Sequence, residues 1–159
     1  MQTKNYISKL CETIDFKTVL EIGSGYGALT NQLLEDHAIT KYISCDPDME
    51  AVEHIQKTLY GKHTQLKTFP CKFENFMLGD TKFDLVLTVH VLEQIEFNKK
   101  GSPFEILNKM CNSSNKYIIH TTIEKEQEKY IDYWKKDDWV IVNIYSIDEI
   151  RRVFLVEKI

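Results

Sequence analysis

No stretch of this 159-residue chain approaches the roughly 20 consecutive apolar residues of a membrane-spanning helix. The polar start Met1-Gln2-Thr3-Lys4-Asn5 has none of the apolar core of a secretory signal. The expectation is a soluble, cytoplasmic protein with no membrane partner. Basic charge is also scarce: 20 Lys and Arg face 24 Asp and Glu, a formal charge of -4. The longest basic runs are the pairs Lys99-Lys100, Lys135-Lys136 and Arg151-Arg152. An extended nucleic-acid-binding face is therefore not expected, because such binding rests on a clustered positive field. The four cysteines, Cys11, Cys45, Cys71 and Cys111, form no C-x-x-C pair, so neither a zinc site nor a disulfide framework is indicated and no metal is expected. No repeat, low-complexity tract or linker interrupts the chain.

What is present suits a packed core. Hydrophobic residues make up 43% of the sequence, and a chain of this length buries about 70% of its extended surface on folding without staples. A single domain over 1–159 is expected. Ile7, Leu10, Cys11 and Ile14 recur at helical spacing, and the apolar run Thr18 to Ile22 reads as a strand. A glycine loop, Gly23-Ser24-Gly25-Tyr26-Gly27, leads into a helix reaching about Asp36. A second strand over Lys41 to Cys45 meets the acidic turn Asp46-Pro47-Asp48, and a helix follows from Met49 to near Gly61. Thr64 to Phe69 reads as a third strand broken by Pro70. Lys82 to Val89 reads as a fourth, apolar enough to be buried on both faces of a parallel sheet. Ser102-Pro103 opens a helix, Lys116 to Thr121 is a fifth strand, and Glu124 to Lys136 is a charged helix with aromatic anchors. Trp139 to Tyr145 and Arg151 to Glu157 are too close in sequence for a crossover helix, so they should pair antiparallel. The alternation predicts a three-layer α/β domain with a mostly parallel sheet.

The glycine loop joins a buried strand to a helix, where missing side chains let backbone amides approach a ligand. Asp46, at the end of the next strand, can accept hydrogen bonds from a ribose diol. A ribose-containing cofactor is the natural reading. Gly23 to Ala28 satisfies both G-x-G-x-G and the dinucleotide pattern G-x-G-x-x-A, so two classes of cofactor remain open on the loop alone.

Four segments together resemble the class I S-adenosylmethionine-dependent methyltransferases. Val19 to Gly27, with Glu21 ahead of the glycines, looks like the family's first motif. Asp46 looks like its ribose-binding acid, followed by Pro47-Asp48-Met49. Cys71-Lys72-Phe73-Glu74-Asn75-Phe76 resembles the loop that reaches the adenine edge, and Phe83 to Ile95 is similar to the fourth-strand motif. The resemblance implies a three-layer Rossmann-like sandwich, with a mostly parallel seven-stranded sheet and a C-terminal antiparallel strand pair. It implies S-adenosyl-L-methionine as cofactor. Gly23, Ser24, Gly25 and Gly27 would admit its methionine and ribose part, Glu21 would orient the loop and the methionine ammonium, and Asp46 would hold the ribose. Pro47 and Met49 would flank the adenine, Phe73 and Glu74 would lie near its edge, and His90 would line the cofactor. The Asn/Asp-Pro-Pro-Tyr type motif of amino-directed nucleic-acid methyltransferases is missing after the fourth strand, which disfavours base N-methylation.

For proton transfer from an acceptor oxygen or nitrogen the candidates are His120, which ends the expected fifth strand, together with His90 and Glu93. His37, His54 and His63 are expected to be solvated. Tyr130, Tyr133, Trp134 and Trp139 are more simply core than pocket wall. The leading expectation is methyl transfer to an unidentified acceptor, a small molecule by default. The alternatives are an NAD-binding oxidoreductase and a methyltransferase-like, non-catalytic subunit of a complex. The short segment before the first strand suggests an acceptor site open to solvent, or closed by a second chain as homodimer or partner subunit.

Overall fold

Strand and helix alternate from Thr3 onward, and the elements group into two compact units that divide after Met77. The structure, a computed structural model, describes residues 3–99 and 101–159. Met1 and Gln2 of the polar start, and Lys100 of the Lys99-Lys100 pair, lie outside the described residues.

The first unit holds α1 (Thr3–Cys11), β1 (Thr18–Ile22), α2 (Ala28–Asp36), β2 (Lys41–Asp46), α3 (Met49–Leu59) and β3 (Leu66–Pro70), followed by a 3-10 turn at Phe73–Asn75. Its strands run in the order β3-β2-β1, all parallel, with Leu20 opposite Ile43 and Ser44 opposite Thr68. The pairing buries two hydroxyls side by side, and Ser44 Oγ donates to Thr68 Oγ1 at 2.8 Å. In α3 the side chain of Asp48 accepts from the amides of Glu50 and Ala51, closing donors that the first turn leaves open. Ala51, Val52, Ile55 and Leu59 then fall on the buried face. The larger of these, Val52, Ile55 and Leu59, each contribute about 1.5–3 kcal/mol when fully buried. At the end of α2, His37 is not simply solvated as expected. Its Nε2 lies 3.2 Å from Ser8 Oγ, its ring packs on Phe16, and Ser8 also donates to Asp36.

The second unit holds β4 (Phe83–Thr88), α4 (Leu92–Asn98), α5 (Pro103–Ser113), β5 (Ser114–Ile123), a 3-10 turn at Glu124–Glu126, α6 (Gln127–Tyr133), β6 (Trp139–Ser146) and β7 (Arg151–Lys158). Its strand order is β4-β5-β7-β6. β4 and β5 are parallel, with Thr88 opposite His120, whereas β5–β7 and β6–β7 are antiparallel. The expected C-terminal antiparallel pair is therefore present. Phe83, Leu85, Val86, Leu87, Ile118, Ile119 and Phe154 are fully buried. Ser102 caps α5 through the amide of Phe104, and Pro103 occupies its first turn, where a missing N–H costs nothing. Among the described residues no helix is long and apolar enough to cross a membrane.

The main differences from expectation lie at β3, α4, β5 and α6. β3 starts at Leu66 because His63, Thr64 and Gln65 are used in a turn, and it keeps Pro70 as its last residue, where a strand end tolerates the absent donor. The helix α4 was not anticipated. β5 is longer at both ends than Lys116 to Thr121. The charged helix expected from Glu124 to Lys136 opens as a 3-10 turn and stops at Tyr133, where Trp134 turns inward. Tyr130, Trp134 and Trp139 are core, as the simpler reading of the aromatic stripe has it, whereas Tyr133 is only half-buried.

Candidate active site

In the first unit the loop after β1 is shaped by backbone. The amide of Gly23 donates to Cys45 O at 2.8 Å, tying the loop to the end of β2, and that of Gly27 donates to Ser24 O at 3.0 Å. Gly23, Gly25 and Gly27 all have positive φ, at 75, 51 and 82°. At Gly25 a Cβ would meet nothing within 4 Å, so the space beside it is open to a ligand. Gly27 is small for another reason: a Cβ there would stand 2.8 Å from Ile55 Cγ1 and 3.2 Å from Leu59 Cδ1. Its role is to let the start of α2 pack on α3.

Asp46 ends β2 with its carboxylate turned toward the loop. Oδ2 accepts from the Gly25 amide at 2.8 Å and Oδ1 from the Asp48 amide at 2.9 Å. Each oxygen carries a second lone pair, so two acceptors remain for a diol. Ser24 Oγ is buried with no hydrogen-bond partner. An orphan hydroxyl and an open glycine on the loop, with a fixed carboxylate facing them from the end of β2, fit a polar, ribose-bearing ligand. Met49 adds an exposed apolar side chain on α3, 54% accessible, just beyond Pro47.

Glu21 and Phe73 sit differently from expectation. Glu21 is only 3% exposed, and its Oε2 accepts from Thr30 Oγ1 at 2.5 Å and from Tyr42 Oη at 2.7 Å. Burial raises its pKa against these two hydrogen bonds. Glu21 thus ties β1 to α2 and β2 and supports the loop from behind. Phe73 points its ring into the core, 3% exposed, while Glu74 is exposed on the same 3-10 turn. Only the backbone of Phe73 is then available to an adenine edge.

In the second unit the end of β4 leads to His90, whose φ of 64° is held by an amide hydrogen bond to Thr121 Oγ1 at 2.8 Å. His90 Nδ1 lies 3.5 Å from Glu93 Oε1, and its Nε2 lies 3.1 Å from Arg151 Nη1. These residues border a cavity of about 680 Å³, lined also by Glu96, Phe97 and Ile150. Burial raises the Glu93 carboxyl, but the His90 ring, with further help from Thr121, outweighs it and leaves the pKa below the ordinary carboxylate value. Glu93 is therefore ionised at neutral pH.

His120 does not join this group. It is fully buried and stacked on Phe154 at 4.7 Å between ring centroids, and its Nε2 accepts from Trp134 Nε1 at 2.9 Å. Burial pushes its pKa down to about 3. The nitrogen that would take a proton is already occupied, and the ring does not border the cavity. The geometry gives His120 a packing role and leaves His90 and Glu93 as the exposed-side pair.

A family model described as a methyltransferase domain matches residues 20–113, from within β1 to the end of α5. The chain belongs to the methyltransferase-domain family. The candidate methyltransferase 235L of Invertebrate iridescent virus 6 is 29% identical over 143 residues, which are 87% of this chain and 50% of that protein. This methyltransferase domain thus spans about half the length of the curated relative it matches. Magnesium protoporphyrin IX methyltransferase (ChlM) from Synechocystis PCC 6803, solved with bound SAM, is similar in structure. It gives a TM-score of 0.80 at 13% identity, covering 99% of this chain and 79% of that one. A candidate RNA methyltransferase, PH1948 from Pyrococcus horikoshii, gives 0.79 at 18% identity, covering 98% and 81%. These likenesses show the Rossmann-like fold shared with methyltransferases, as the sequence motifs imply.

Sequence reasoning missed Glu96, Phe97, Asp148, Ile150 and Arg151 of the methyltransferase domain's second unit. The pair Glu93 and Glu96 carries a signal, since i and i+3 share one face of a helix, but only once Leu92–Asn98 is known to be helical. Nothing local marks Asp148 or Arg151.

Proposed function

We propose that residues 1–159 act as one methyltransferase domain that transfers a methyl group from S-adenosylmethionine to an oxygen or nitrogen of a small-molecule acceptor. The observation that carries the cofactor half is the Asp46 carboxylate fixed by the Gly25 amide at 2.8 Å, beside an open glycine and an unpartnered Ser24 hydroxyl. When bound, the cofactor supplies an electrophilic methyl group on a sulfonium. The remaining lone pairs of Asp46 hold the ribose diol, the loop from Gly23 to Gly25 receives the methionine part, and Pro47 and Met49 flank the adenine. Glu74 and the backbone of Phe73 lie at its edge. Glu21 shapes the loop and does not touch the ligand.

On the acceptor side, the cavity of about 680 Å³ is the size of a small-molecule site. His90, with Glu93 beside it, borders this cavity and takes an acceptor proton on Nε2 once the acceptor displaces the Arg151 contact at 3.1 Å. Membership of the methyltransferase-domain family argues against the NAD-dependent alternative. A cytoplasmic location is part of this reading, consistent with the buried thiols Cys11 and Cys45, both pushed up to about 12 by burial.

Calorimetric titration with S-adenosylhomocysteine and with NADH tests the assignment. S-adenosylhomocysteine is expected to bind, NADH is not, and Asp46→Ala is expected to weaken the former by about 30-fold or more, as for loss of a charge-assisted contact. Tighter binding of NADH, or no effect of Asp46→Ala, would overturn it.

A further inference from the structure

The floor of the second unit's cavity is unusual in its unmet charge. Glu93 and Glu96 lie on one face of α4 and are largely buried, with side chains 14% and 10% exposed. Glu96 Oε1 accepts from Tyr130 Oη at 2.5 Å and pairs with Lys129 Nζ at 2.6 Å, but Oε2 is buried with no hydrogen-bond partner. Both oxygens of Glu93 are buried without a hydrogen bond of good geometry, although the His90 ring at 3.5 Å and the Thr121 hydroxyl favour its charge. Three buried carboxylate oxygens thus lack a well-formed hydrogen bond.

Two neighbouring cations are committed elsewhere. Lys129 bridges Glu96 to Glu126, at 2.6 and 2.7 Å, and Arg151 lies on Asp148 and beside His90. Four carboxylates, those of Glu93, Glu96, Glu126 and Asp148, border the cavity against the two cations Lys125 and Arg151, which disfavours an anionic guest. The walls are apolar: Phe97 is 88% exposed, Ile150 is 65% exposed, and Ile123 lies beside them. An ammonium group on an apolar body is the guest favoured by a cavity that four carboxylates and exposed apolar side chains line.

We infer that this cavity recognises a small molecule carrying a protonated amine on an apolar body, with Glu93 and Glu96 receiving the ammonium and Phe97, Ile123 and Ile150 packing on the body. The identification of this molecule as the methyl acceptor rests on the function proposed above; the binding preference does not. An ammonium held by carboxylates has no lone pair to offer, so the atom that accepts the methyl group is a different one in the same molecule.

The test is a backbone-amide NMR titration of the full chain at pH 7 with three probes that share a phenyl body: 2-phenylethylamine, 2-phenylethanol and 3-phenylpropionate. The amine is expected to shift the amides of Phe97, Ile123 and Ile150 and to bind at least about tenfold tighter than the alcohol, with the acid weakest. Glu93→Gln and Glu96→Gln are each expected to cut amine affinity about fivefold or more while leaving the alcohol unchanged. Should Glu96→Gln fail to fold, because Glu96 also anchors Tyr130 and Lys129, Glu93→Gln carries the test. Equal binding of amine and alcohol, no shift at those three amides, or no effect of Glu93→Gln overturns the proposal. A parallel titration with S-adenosylhomocysteine separates the two claims. Cofactor binding without amine preference overturns the cavity proposal alone, and amine preference without cofactor binding supports it while sinking the methyl-transfer reading.

Discussion

The two units of this methyltransferase domain build their candidate sites from different materials. Up to Met77 the polar groups close on one another: two backbone amides take Asp46, two hydroxyls take Glu21, and Asp48 caps α3. The loop itself is shaped by glycines whose φ no other residue adopts cheaply. From Leu78 onward the site is made of side chains on a seven-residue helix and strand ends, and it leaves buried carboxylate oxygens open. A cofactor common to a family can be met by backbone, whose geometry survives sequence change. An acceptor that differs among members calls for side chains, which can be exchanged without rebuilding the fold.

The difference can be broken first at Gly27. Gly27→Val combines a positive φ with a Cβ 2.8 Å from Ile55, and a loss of about 4 kcal/mol is expected from strain and overpacking, read by urea denaturation. Gly25→Ala, with the same backbone class and nothing within 4 Å, is expected to cost far less stability and to act on cofactor affinity instead. Next, Glu21→Ala leaves the Thr30 and Tyr42 hydroxyls buried without a partner, for about 3 kcal/mol by the same measurement.

In the second unit, His120 is neutral in the fold with its pKa down to about 3, against an ordinary 6.5. The unfolded chain therefore binds the extra proton, and the stability that His120 contributes above pH 6.5 is lost as the pH falls toward 3. Between pH 6.5 and 5 the loss is about 2 kcal/mol. His120→Phe should flatten that slope, seen by comparing denaturation curves of the two proteins across the window. The smallest effect belongs to Asp48→Ala, about 1 kcal/mol from the lost cap, measured as a modest drop in Tm.

Much of the first unit was legible because its signals are local. Apolar runs mark β1 and β2, the acidic turn marks the start of α3, and Asp46 stands where a strand ends. The failures there concern direction: Phe73 and Glu74 share a 3-10 turn, and nothing in the pattern says which side chain turns inward. Gly27 illustrates a related limit, since a glycine required by packing on Ile55 looks the same in sequence as one required by a ligand. In the second unit, His120 was read as a strand-end residue, but β5 continues to Ile123 and places it mid-strand opposite Phe154. The helix α4 was hidden because Leu92 to Ile95 was absorbed into the fourth-strand motif. Asp148 and Arg151 reach the cavity only through the β6–β7 turn, a tertiary fact with no local signature.

Calorimetric titration of S-adenosylhomocysteine into three proteins, the parent chain, Asp46→Ala and Glu93→Gln, tests the division of labour most directly. Asp46→Ala should weaken binding by about 30-fold or more, while Glu93→Gln stays within about twofold of the parent. Equal losses in the two variants, or a larger loss in Glu93→Gln, would contradict it.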